Sequence, residues 1–154
     1  MSSSSQQFRH IVRVAGVDLE GKLDVVHGLA SIKGIGVNLA AALVRRLGMD
    51  PTRKIGELTD AELATLEDAV LDPSKYGVPS WMLNRRKDYE SGEDLHLVGA
   101  DLIFKVRQDI ERETKIKSWR GIRHALGLKV RGQRTATTGR FGPTVGVKKS
   151  KAKK

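Results

Sequence analysis

The last 41 residues of the chain, Thr114 to Lys154, hold thirteen Lys or Arg and not one Asp or Glu. The 113 residues before them hold fifteen basic residues and all eighteen acidic ones, so the net charge of +10 belongs entirely to the C-terminal segment. Charges of one sign repel one another unless a polyanion compensates them, whereas a merely solvated face mixes signs. Such a segment cannot condense into a core of its own, and it points to a nucleic-acid partner. A membrane surface is the rival, but its signature is a basic amphipathic helix with a broad apolar face. After Leu128 the only large apolar residues are Val130, Phe141, Val145 and Val147. No membrane partner is expected.

The full length of 154 residues suits one ordinary domain, or a small one with appendages. Hydrophobic residues make up 39% and aromatics 5%, so a modest core must rest on Leu, Ile, Val and Ala. The absence of cysteine excludes disulfides, thiolate zinc sites and cysteine nucleophiles together. No apolar run approaches the ~20 residues that span a bilayer. Met1 to Gln7 are polar and lack a signal-peptide core, so residues 1–8 are expected to be a disordered leader of a cytoplasmic protein.

The pattern of the chain predicts a mainly α fold. Ile11, Val12 and Val14 suggest a short strand, with Asp18 to Lys22 as a turn. Leu23, Val26, Leu29 and Ala30 recur at helical spacing, as do Leu39, Leu43, Val44 and Leu47. Between these helices lies Lys33-Gly34-Ile35-Gly36, whose amides open the second helix toward an anion, as in sequence-independent phosphate binding. A tight interhelical turn with Ile35 plugging the core is equally compatible. Thr59 and Glu62 form a capping box for a third helix, which carries Leu63, Leu66 and Val70 on one face and ends at Asp72-Pro73. Its acidic residues Glu62, Glu67 and Asp68 are expected to face solvent or protein. An irregular connection follows, residues 74–97. There Trp81, beside Arg85-Arg86-Lys87, either stacks on a base or anchors the loop over the core, and the anchor is favoured.

A long helix is predicted from about Val98 to Glu113, with Leu102, Ile103, Val106 and Ile110 as its apolar stripe, and a short helix after Ser118 that stops at Gly127. The expected divisions are therefore 1–8, a globule over 9–97, two helices over 98–127 and a basic tail over 128–154. In the tail, Arg131-Gly132-Gln133-Arg134-Thr135 and Thr138-Gly139-Arg140 alternate guanidinium, glycine and hydroxyl groups. Arg forks onto phosphate and stacks on bases, and glycine lets the backbone follow a surface closely. Lys148 to Lys154 form a cruder cationic end. The tail is expected to order only on RNA. A mere solubility or localisation sequence would not need so specific a motif.

No constellation supports catalysis, and no cofactor is expected. His10, His27, His96 and His124 lack ligand spacing, and Asp109, Glu111 and Glu113 sit on a helix that needs polar residues outward. A DNA glycosylase with a helix-two-turn-helix module would need a catalytic N-terminal Pro or Glu. A chromatin-type DNA-binding protein is permitted by the tail and hairpin alone.

Three ordered motifs carry a resemblance that decides among these. Ile32-Lys33-Gly34-Ile35-Gly36, then Arg120-Gly121-Ile122-Arg123-His124 with Gly127-Leu128, then Arg131-Gly132-Gln133-Arg134-Thr135 closely resemble the universal small-subunit ribosomal protein S-thirteen family. The likeness covers nearly the whole chain after the serine leader. Pro79-Ser80-Trp81, Asn84-Arg85 and Val145-Gly146-Val147 resemble the archaeal and eukaryotic branch, and Ala136 departs where relatives often carry Lys. The resemblance implies a helix-two-turn-helix globule with a short N-terminal strand, a long helix and an extended basic tail, placed in the head of the small subunit. It implies that Lys33, Gly34, Gly36, Arg120, Arg123, His124, Arg131, Gln133, Arg134, Thr135, Thr138 and Arg140 hold small-subunit rRNA. It further implies that Lys148, Lys149, Lys151, Lys153 and Lys154 reach peptidyl-site tRNA. The implied neighbours are small-subunit ribosomal protein nineteen and the large-subunit bridge elements, ribosomal protein five and its rRNA.

Overall fold

The structure is a computed structural model that describes residues 8–137 together with Gly142 and Gly146. It is mainly helical and divides into two compact units, 1–106 and 107–154.

The first unit opens with an antiparallel hairpin, β1 (Ile11–Val14) and β2 (Val17–Glu20), with Val12 opposite Leu19 and Val14 opposite Val17. Ala15 and Gly16, at φ 48° and 74°, make the two-residue turn whose left-handed backbone matches strand twist. Period-two alternation buries Val12, Val14 and Leu19 and turns Asp18 and Glu20 outward. The expected turn at Asp18 to Lys22 is thus corrected: its first half is a strand, and its acidic residues are the outward positions of the pleat.

Helices α1 (Val25–Ala30) and α2 (Val37–Arg46) pack together on this hairpin. Their apolar faces meet α3 (Asp60–Leu71) in one cluster that includes Leu29, Ile32, Leu43, Ile55, Leu66 and Val70. Each fully buried Leu or Ile here contributes about 1.5–3 kcal/mol through removal from water. The Thr59 hydroxyl accepts the Glu62 N–H at 3.2 Å, and the Glu62 carboxylate accepts the Thr59 N–H at 2.7 Å, so the capping box is closed. The acidic face of α3 also ties the unit together. Glu62 accepts from Arg53 at 2.8 Å, and Glu67 accepts the Ala15 N–H of the hairpin turn at 2.9 Å.

The connection between α3 and α4 (Gly99–Lys115) is irregular but heavily bonded. Arg85 and Leu95 exchange backbone hydrogen bonds at 3.1 and 2.7 Å. The Asn84 side chain donates to the Leu97 carbonyl at 2.6 Å and accepts its N–H at 2.9 Å. On the early part of α4, Lys105 pairs with Glu90 at 2.6 Å.

The second unit contains the end of α4, α5 (Trp119–Ala125) and the described part of the tail. Gly121 is the only buried residue described in it. The stripe expected on α4 does not become a core: Ile103 and Val106 are exposed, and Leu102 and Ile110 are half-buried. The pattern is amphipathic, but no residue of α4 itself is buried.

Candidate nucleic-acid interface

Three places carry the groups that could hold phosphate: the hairpin between α1 and α2, helix α5 and the start of the tail.

At the hairpin between α1 and α2, Ile35 is 4% exposed and does plug the core. Its neighbours serve a different end. Lys33 is exposed and makes no ion pair among the described residues. Its carbonyl accepts the Gly99 N–H at 2.8 Å, which fixes the loop. Gly34 takes φ 103°, and a Cβ there would meet the Leu97 carbonyl oxygen at 2.5 Å. Gly36 caps α2 with no side-chain bond, and a Cβ there would meet nothing within 4 Å. The first amides of α2 therefore open on an uncrowded surface beside Lys33, the arrangement that favours an anion. The structure shows Ile35 as the plug, and its geometry leaves room for the anion reading as well.

Trp81 is 69% exposed, so its favoured reading as a loop anchor over the core is corrected. Its neighbours pack against the core instead: Val78 is 6% exposed within it, and Met82 is packed against it. Of the basic triplet beside it, Arg85 is committed to an ion pair with Asp88, while Arg86 and Lys87 are exposed.

On α5 the local order comes from Ser118. Its hydroxyl accepts the Gly121 N–H at 3.0 Å and donates to the Glu113 carboxylate at 2.6 Å. Gly121 lies so close to the end of α4 that a Cβ would meet the Glu113 carbonyl oxygen at 2.1 Å. The three basic residues of this helix have different surroundings. Arg120 is exposed, with no ion pair among the described residues. Arg123 is half-buried, lies 5.8 Å over the Trp119 ring and donates to the Lys129 carbonyl at 2.9 Å. It therefore shapes the start of the tail. His124 is half-buried and joins Arg120, Arg112, Asp109 and Glu113 around a depression of about 150 Å³.

The tail leaves α5 through Gly127 and continues exposed. Arg131, Gln133, Arg134 and Thr135 all face solvent, and the Gln133 side-chain oxygen accepts the Arg131 N–H at 3.1 Å. Thr138, Arg140, Lys148, Lys149, Lys151, Lys153 and Lys154 lie outside the described residues.

Ion pairs take up some of the arginines in each unit, Arg112 with Asp109 in the second. In the first, Arg9 pairs with Asp60, Arg53 with Glu62 and Arg85 with Asp88. In the second, Arg120, Lys129, Arg131 and Arg134 make no ion pair among the described residues. Sequence reasoning had no reason to single out Arg45 and Arg46, which are exposed on the last turn of α2 and also make no ion pair among the described residues. Their proximity to Trp81 is a tertiary fact.

Comparison with known proteins matches residues 13–141 to the family model described as ribosomal protein S13/S18. Proteins named small ribosomal subunit protein uS13 are similar over nearly their whole lengths. That of Staphylothermus marinus is 66% identical over 97% of this chain and 99% of its own. That of Hyperthermus butylicus is 67% identical over 96% and 98%, and that of Saccharolobus solfataricus 60% identical over 96% and 90%. All three are archaeal.

Proposed function

From the premise that this chain belongs to the ribosomal protein S13/S18 family, we propose that it anchors itself in the small subunit by laying its basic arm on rRNA phosphates. The chain has a structural ribosomal role in translation and is not an enzyme. The observation that carries the finer reading is the row Arg120, Lys129, Arg131 and Arg134, without ion pairs among the described residues. In the first unit the arginines at 9, 53 and 85 are neutralised internally, while Lys33, Arg45 and Arg46 make no ion pair among the described residues. Cations left without internal partners release counterions when they meet phosphates. They position the protein and read little sequence. Lys33, Gly34 and Gly36 give the globule its own hold on the backbone of the same rRNA, His124 joins Arg120 in that hold, and Arg123 orients the tail.

The same reading assigns the acidic and apolar surfaces of the globule and α4 to protein neighbours. These are small-subunit protein nineteen and, across the subunit interface, large-subunit protein five with its rRNA. The terminal lysines, Lys148 to Lys154, carry attraction without fixed geometry and are assigned to peptidyl-site tRNA, which comes and goes. Co-sedimentation tests the anchor. The full chain is expected to stay with small subunits through a high-salt sucrose gradient. A chain with Arg120, Arg131 and Arg134 all changed to Gln is expected to be stripped from them. Equal retention of both would refute the anchor.

A further inference from the structure

Trp81, Arg45 and Arg46 stand together on the globule, beside the interhelical loop, and have no part in the rRNA contacts assigned so far. Trp81 sits on a 3₁₀ turn, Ser80–Met82, fixed by Met82 N–H to Pro79 O at 3.0 Å and Leu83 N–H to Ser80 O at 3.2 Å. The indole is 69% exposed, although its neighbours Val78, in the core cluster, and Leu83 are buried. An indole offers a large apolar face for stacking, and here it stands on a backbone turn beside two arginines.

What covers it is indicated by the surroundings. An open depression of about 320 Å³ lies on one side of Trp81, lined by Arg45, Arg46, Val78 and Pro79. Another of about 290 Å³ lies on the other side, lined by Gly34, Gly36, Asn38 and Leu39. No carboxylate lines either one. Arg46 reaches over the turn at Gly77, where a Cβ would sit 3.7 Å from its Nη1. Such surroundings suit a ligand planar enough to stack on an indole and anionic enough to satisfy two guanidiniums.

We propose that Trp81, Arg45 and Arg46 form a nucleotide platform on the globule, which stacks one unpaired RNA base on the indole and holds the adjoining phosphates on the two arginines. A base inside a duplex cannot offer its face, so the partner is a loop or bulge nucleotide. The platform rests on the reading of this chain as an rRNA-binding protein, and adds to the arm a contact that responds to base exposure rather than to charge alone.

Two measurements on the full chain test it. In a Trp119→Phe background, where Trp81 is the only tryptophan, small-subunit rRNA is expected to quench the emission by more than half. In the otherwise natural chain, Trp81→Ala is expected to weaken rRNA binding about ten-fold, with Trp81→Phe recovering most of the loss. Arg45→Gln with Arg46→Gln is expected to lower the slope of log K against log salt by about 2. If the chain binds rRNA while the Trp81 emission stays unchanged and Trp81→Ala binds equally well, the platform is wrong and the arm stands. If the natural chain does not bind rRNA at all, both fall. Emission that changes only when other small-subunit proteins are added overturns the platform in favour of a protein contact. The quenching experiment keeps Trp81 in place, so its outcome does not depend on the alanine variant folding.

Discussion

The Asp88 carboxylate lies 5% exposed against the Arg85 guanidinium and also accepts the N–H groups of Glu90 and Ser91 at 3.3 Å each. The Arg85 hydrogen bond, helped by the Ser91 amide and the charges of Arg85 and Lys105, holds its pKa down at about 2 despite burial. A depressed carboxylate stabilises the fold above its unfolded pKa, near 3.8, and that stabilisation is lost as pH falls toward about 2. Acid denaturation of the natural chain is therefore expected to steepen between those values. Asp88→Asn should lower Tm by several degrees at pH 7 and remove that part of the acid transition, as read by circular dichroism.

His96 sits in the same connection and titrates in a separate window. Its Nδ1 accepts the Asn84 N–H at 3.4 Å, and its buried Nε2 has no hydrogen-bond partner among the described residues. Burial lowers its pKa below the usual 6.5. The unfolded chain then binds the proton more readily, so stability falls as pH drops below about 6.5. Urea denaturation at pH 7.5 and 5.5 should show a smaller pH dependence for His96→Gln than for the natural chain.

The two hairpin glycines should behave oppositely. Gly34→Ala forces a Cβ into the Leu97 carbonyl at a left-handed φ, and should cost more than about 2 kcal/mol. Gly36→Ala meets no atom and changes only the cap, at a cost of about 1 kcal/mol or less. Denaturant midpoints of the two variants measure the contrast.

These contacts show where the sequence was readable. The capping box, the helix stops and Ile35 as a plug follow from local rules, because each is decided within a few residues. The strand at Val17–Glu20 also had its period-two alternation in plain view, and was obscured because Asp18 and Glu20 suggested a turn. Asp88 and Trp81 were not legible in this way. A buried Asp depends on which guanidinium folds over it, and an exposed Trp depends on Val78, not the indole, being drawn into the core. The division of charge between globule and arm was visible from composition alone. Its electrostatic meaning required knowing which arginines find carboxylates.

That division gives the last prediction. Arg131 and Arg134 are exposed and make no ion pair among the described residues, so no described ion pair of the fold depends on their charge. Changing both to Gln should leave Tm within about 1 °C of the natural chain, because surface substitutions away from specific contacts change stability little. Binding to small-subunit rRNA should nevertheless weaken, and the slope of log K against log salt should fall by about 1 for each arginine that no longer meets a phosphate. Arg123→Gln should differ on both counts. It removes the bond to the Lys129 carbonyl and the contact over Trp119, so it should lower rRNA affinity by misdirecting the tail, with a smaller change in salt slope than its loss of affinity implies. Filter binding across a salt series, run on these variants and on Arg131→Gln alone, separates a cation that meets phosphate from one that aims the arm. Equal slopes for Arg123→Gln and Arg131→Gln at equal affinity loss would show that Arg123 contacts phosphate like the rest.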